Sequence, residues 1–171
     1  MEQRQLVGLI SRRSVVQIHP PLPFLYVVSK VGTMELVHSY AAGLVDGEGT
    51  VTLTKENARS KFGYPTISVT STTFDLVNFL KKNYGGTIVT HKTYKSGHKQ
   101  SWSWKVVSNG AIAMLEKIAP YMIENEKSRR AYLILKFYKI LTPRNGKYTG
   151  TQAEEKFLFE RNFFSNNKKL S

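Results

Sequence analysis

Apolar and polar residues alternate at three places along this chain. From Thr50 to Thr54, Val51 and Leu53 take one face and Thr50, Thr52 and Thr54 the other. From Thr66 to Thr70, Ile67 and Val69 oppose Thr66, Ser68 and Thr70. Near Trp102, the residues Trp102, Trp104 and Val106 oppose Ser101, Ser103 and Lys105. Period two with β-branched residues predicts strands. A further strand is expected from Thr87 to Tyr94, joined to the last by a turn at Lys95-Ser96-Gly97-His98.

Helical spacing fills the intervals. Leu36, Tyr40 and Leu44 repeat at i+4, which predicts a helix from Glu35 to Asp46 closed by Gly47 and Gly49. Thr72-x-x-Asp75 has the form of a capping box and opens a helix through Leu80 that Gly85-Gly86 stops. Further helices are expected over Ala111–Met122, interrupted at Pro120, and over Asn125–Leu141, ended by Pro143. A weaker one runs from Gln152 to Phe164.

The order α-β-β-α-β-β-α places the chain in the α+β class. It predicts a four-stranded antiparallel sheet with helices packed on one face. The other face then displays Thr50, Thr52, Thr54, Thr66, Ser68, Thr70, Ser101, Ser103 and Lys105. Register leaves open whether His91 or Lys92 joins them. Trp102 and Trp104 alternate with the polar set and belong to the core. Residues 34–142 form the expected core, 1–33 an N-terminal extension, and 143–171 a C-terminal helix and basic tail.

Charge changes the picture. Lys and Arg total 25 against 12 Asp and Glu, a net charge of +13. That excess points to a polyanion, above all nucleic acid. Its distribution is uneven: residues 35–49 hold Glu35, Asp46 and Glu48 and no Lys or Arg, while residues 50–115 are strongly basic, with Lys55, Arg59 and Lys61 in the first loop. A carboxylate centre inside a basic field suits a metal-dependent phosphodiesterase better than a pure binding module. There is no cysteine, so no disulfide or thiolate zinc site. His19, His38, His91 and His98 lack zinc spacing, and the longest apolar runs are too short to span a bilayer. The extension, with Arg12, Arg13, Pro20, Pro21 and Pro23, reads as a flexible segment or reading-frame remnant before a transit peptide.

Ser39, Gly43 and Gly47 fall at i, i+4 and i+8 and give the first helix a face almost without side chains. Such a face lets a second backbone approach closely. Asp46 and Glu48 then gather at the helix C-terminus, where negative charge is unfavourable. A positive group must compensate there, and a divalent cation is the simplest one.

The stretch Ala41-Ala42-Gly43-Leu44-Val45-Asp46-Gly47-Glu48-Gly49 resembles the signature of the LAGLIDADG homing endonucleases. It departs with Ala41 for Leu and with Glu48 for the usual Asp. The resemblance covers about residues 35–141 and occurs once. It implies a DNA-binding saddle, Glu48 as the metal-binding carboxylate and the Gly47 carbonyl as a second metal ligand. Asp46 is then chiefly structural, with a direct catalytic role as the alternative. Lys127 matches the family's lysine near the scissile phosphate, and Ser71 its water-organising position.

One motif per chain implies a homodimer joined at Ser39, Gly43 and Gly47. The alternative is tight packing of that face within one monomer. The function implied is an intron-encoded, sequence-specific double-strand DNA endonuclease that leaves 3′ overhangs at a near-palindromic site. Mg²⁺ is its cofactor, Mn²⁺ a substitute and Ca²⁺ non-productive. The rivals are an RNA maturase acting on its host intron RNA and a non-catalytic DNA-binding regulator. The location implied is inside the cell with the host intron, the prokaryotic cytoplasm ahead of an organelle.

Overall fold

A computed structural model describes residues 30–93, 99–144 and 146–165. Most of the extension, the turn at Lys95–His98, the end of the third predicted strand at Tyr94 and the tail beyond Ser165 lie outside the described residues. The elements are α1 (Lys30–Glu48), β1 (Gly49–Thr54), β2 (Tyr64–Ser71), α2 (Phe74–Tyr84), β3 (Thr87–Thr90), β4 (Trp102–Val107), α3 (Ser108–Ile118), α4 (Asn125–Leu133) and α5 (Gly150–Phe164). All strand pairings are antiparallel, in the order β1-β2-β4-β3. This is the expected α+β sheet with helices on one face.

Side-chain alternation places the core. Val51, Leu53, Ile67, Val69, Trp104 and Val106 turn inward and are buried against Val77, Leu80, Ala111, Leu115 and Ile118 of the helices. Trp104 is fully buried, and its indole N–H donates to the Gly85 carbonyl at 2.8 Å. Trp102 is half-buried, its ring edge-on to Phe74. Two glycines are there for close approach. A Cβ on Gly49 would lie 2.7 Å from the Val45 backbone, because β1 folds straight back on the last turn of α1. Gly86 has φ 83°, and a Cβ there would lie 2.5 Å from the Lys105 carbonyl.

Several boundaries differ from the sequence pattern. The α1 helix starts at Lys30 and runs through Gly47 to Glu48 rather than stopping before Gly47. Its core face is Ala41, Ala42 and Val45, while Leu36 (60%) and Tyr40 (50%) are exposed. The capping box at Thr72 does not form. Thr73 is the cap residue without a side-chain bond, and its amide donates to the Ser71 hydroxyl. A capping box does form at Thr149 and Gln152, ahead of α5. The predicted helix to Leu141 is α-helical only to Leu133, then widens into a π turn at Ile134–Tyr138. Thr66, expected on the open face, is buried: β2 is an interior strand, and Thr52 and Val107 flank Thr66 across its two ladders.

Lys156 of α5 is fully buried. Its ammonium donates to the Thr142 hydroxyl at 2.7 Å and sits 3.6 Å from the centre of the Tyr138 ring. Burial lowers its pKa to about 8, against a smaller opposing effect from Glu160. The folded chain therefore releases this proton at lower pH than the unfolded chain does. The cost of burying the charge is fully present below pH 8 and is relieved as pH rises from about 8 towards 10.5. The melting temperature of the wild type is expected to rise across that window, and Lys156→Met is expected to remove the rise.

Candidate acidic centre and nucleic-acid interface

The end of α1 brings the predicted acidic residues to the surface and joins them to α4. Asp46 is half-buried, and its Oδ2 accepts from the amides of Ile123 (2.7 Å) and Glu124 (3.3 Å). These amides belong to the turn entering α4, so Asp46 locks α1 to that turn. Its Oδ1 is buried and lacks a hydrogen-bond partner among the described residues. Gly47 and Glu48 are exposed. Among the described residues, Glu48 has no hydrogen-bond or ion-pair partner.

The compensating positive charge is a side chain. The Lys127 ammonium donates to the carbonyls of Val45 (3.1 Å) and Asp46 (2.5 Å), two of the orphan acceptors at the α1 terminus. A cation at that end also meets the negative pole of the helix. Lys127 is held there because Glu124 caps α4, accepting from the amides of Glu126 (3.1 Å) and Lys127 (2.6 Å). Lys127 thus binds the helix end that carries Glu48.

The next turn of α4 carries a clamp that no sequence motif announced. Arg129 and Arg130 both bind Glu126, and the Arg129 hydrogen bond leads in holding the Glu126 carboxyl below its ordinary value, against the cost of burial. Arg129 also donates to the carbonyls of Asn162, Phe163 and Ser165 at the end of α5. Arg130 donates to the Val51 carbonyl in β1 and lies over the Phe163 ring. One helix therefore fastens the motif, the first strand and the C-terminal helix together.

The small face of α1 is open. Ser39, Gly43 and Gly47 are exposed, and a Cβ on either glycine would meet nothing within 4 Å among the described residues. The Ser39 hydroxyl bonds back to the Glu35 carbonyl at 2.9 Å and leaves the surface flat. Packing of this face within the monomer, the alternative raised by the sequence, is not found among the described residues. Leu36 and Tyr40 extend the same exposed stripe, with Tyr40 also edge-on to Phe79.

The outer face of the sheet holds most of the predicted hydroxyl residues. Thr50 and Thr70 are exposed, and Thr52, Thr54, Ser68, Ser101, Ser103 and Lys105 are partly so. Lys55, Arg59 and Lys61 are exposed on the β1–β2 loop. Register settles the question at the end of β3. Thr87 pairs with Lys105 and Val89 with Ser103, so His91 shares their face and Lys92 falls on the opposite parity. The imidazole of His91 lies 2.6 Å from the Ser103 hydroxyl. Ser71 sits at the end of β2, partly exposed, with its hydroxyl turned to the Thr73 amide. His38 is a packing residue: its Nδ1 lies 2.7 Å from the Tyr84 hydroxyl, and burial, then Lys117, lowers its pKa.

No family model matches the chain, and no curated protein does. Solved structures match over most of its length. The homing endonuclease I-CvuI, in complex with its target in the presence of calcium, shares 19% identity at a TM-score of 0.58, over 81% of this chain and 89% of that one. The archaeal intron-encoded homing endonuclease I-Vdi141I, complexed with DNA, shares 18% at 0.58, over 79% and 87%. The LAGLIDADG homing endonuclease I-SmaMI, bound to cleaved DNA, shares 23% at 0.53, over 79% of this chain and 45% of that one. The chain has the LAGLIDADG homing-endonuclease fold. Among the described residues no helix is long and apolar enough to cross a membrane.

Proposed function

We propose that the chain is a sequence-specific double-strand DNA endonuclease that works as a homodimer with a divalent metal. One observation carries the reading: an exposed, unpartnered carboxylate at Glu48 ends the helix whose Val45 and Asp46 carbonyls hold the Lys127 ammonium, and that helix has an open small-residue face. Among the described residues, no group of three or more His, Asp or Glu forms a metal site. One copy offers a carboxylate and the neighbouring Gly47 carbonyl, hard oxygen donors of the kind Mg²⁺ takes. Mn²⁺ substitutes for Mg²⁺, and Ca²⁺ holds the site without turnover.

Two copies meeting at Ser39, Gly43 and Gly47 bring two Glu48 carboxylates to one two-fold axis, and DNA supplies the remaining oxygens. A magnesium ion held by Glu48 and the Gly47 carbonyl would lower the pKa of water and neutralise the leaving oxygen. Lys127, held by the α1 carbonyls, faces the charge that develops on the phosphate. Asp46 positions the helix end, and Ser71 lies at the strand end where water can be ordered. The hydroxyl face reads base edges while Lys55, Arg59, Lys61 and Lys105 meet phosphates. The complexes of the structural neighbours with DNA support this reading over an RNA maturase. Incubation with a library of near-palindromic duplexes in Mg²⁺ is expected to give discrete double-strand cuts with 3′ overhangs and none in EDTA. Tight binding without cuts in either condition sinks the nuclease and favours a regulator.

A further inference from the structure

Thr70, Ser103 and His91 form one hydrogen-bonded row across the outer face. Thr70 pairs with Ser103 in the β2–β4 ladder, and their hydroxyl oxygens lie 2.5 Å apart. His91 follows the strand whose Val89 pairs with Ser103 on its other side, and His91 Nε2 lies 2.6 Å from the Ser103 oxygen. A bond from the His91 amide to the Ser101 carbonyl, at 3.0 Å, fixes the backbone there. Thr70 and His91 are exposed, and Ser103 sits partly covered between them.

Ser103 has one hydroxyl proton to give. If it goes to Nε2 of the neutral imidazole, Nδ1 bears the ring proton and Thr70 must donate to Ser103. The row then shows a donor at His91 and an acceptor at Thr70. If Nε2 bears the proton and donates to Ser103, the Ser103 proton is released to donate to Thr70. The row then shows an acceptor at His91, and only in this state can Thr70 turn a donor outward. With the ring neutral, a donor at His91 therefore never stands with a free donor at Thr70.

We infer that this row is one base-reading unit, in which Ser103 couples the choice made at His91 to the choice made at Thr70. Base edges in the major groove differ in their pattern of donors and acceptors. The two edges beneath the row are therefore selected as a linked pair, not independently. This rests on the DNA-binding reading above.

The test is base preference, measured by selecting randomised duplexes with the full chain in Ca²⁺, for wild type, His91→Ala, Ser103→Ala and the double variant. Melting temperatures report that each is folded. His91→Ala is expected to relax discrimination about tenfold at two positions of the site. In the Ser103→Ala background, His91→Ala is expected to change one position only. Preferences that shift additively, or a single affected position in both backgrounds, overturn the coupling and leave the endonuclease intact. Absence of any sequence preference in the folded wild type overturns both.

Discussion

Glu48→Gln is expected to abolish cleavage while leaving DNA binding intact. Glutamine keeps the length and shape of the side chain and removes the negative charge that a divalent cation requires. Metal assistance in hydrolysis accounts for several kcal/mol of barrier, and each 1.36 kcal/mol is tenfold in rate. A loss of about a thousandfold or more follows. Binding responds in the opposite sense. Glu48 is exposed and unpaired among the described residues, so near phosphates it repels, and its neutralisation holds or raises affinity. Fold stability is unchanged, because no described contact of Glu48 is lost. Single-turnover cleavage and binding in Ca²⁺ separate the two effects. Cutting that survives the substitution places the chemistry elsewhere.

Gly43→Leu is expected to improve the monomer and break the dimer. In one copy the added Cβ meets nothing within 4 Å among the described residues, so the side chain enters open space. Replacing glycine inside a helix by leucine is worth up to about 1 kcal/mol of helix stability. At a two-fold axis the same side chain enters twice, between two backbones. Overpacking costs typically about 1–3 kcal/mol per site, so the pair weakens association by roughly thirtyfold to twenty-five-thousandfold. Sedimentation and thermal melting read opposite signs from one substitution. A variant that stays dimeric and cuts like wild type places the interface on another surface.

What the sequence made legible was local. Alternation at Thr50–Thr54, Thr66–Thr70 and Ser101–Val106 identified the strands, because period two maps directly onto two faces. The glycines of the motif were legible as small residues. That Gly49 is needed where β1 returns against Val45 is a tertiary fact. Leu36 and Tyr40 have core spacing yet lie exposed, because the alanines beside them take the helix against the sheet. Thr72-x-x-Asp75 and Thr149-x-x-Gln152 look alike in sequence. Only the second forms a box, since the hydroxyl must meet an amide whose direction the preceding chain sets.

At the candidate site, the pattern supplied Asp46, Glu48 and Lys127 but not their arrangement. The need for positive charge at the end of α1 was readable from the helix dipole. That Lys127 meets it comes from a contact spanning 81 residues. Arg129 and Arg130 carried no signal beyond a charged helix start, because the carbonyls they reach belong to distant elements. Lys156 was invisible for the opposite reason: a lysine in an amphipathic helix is ordinarily solvated.

The most direct measurement is the position of manganese, located by anomalous diffraction in crystals of the full chain with a selected duplex. Two protomers related by an axis through Gly43 and Gly47 are expected, with manganese bound by Glu48 and DNA oxygens and Lys127 at the same helix end. Manganese bound away from Glu48, or one protomer per duplex, contradicts that arrangement.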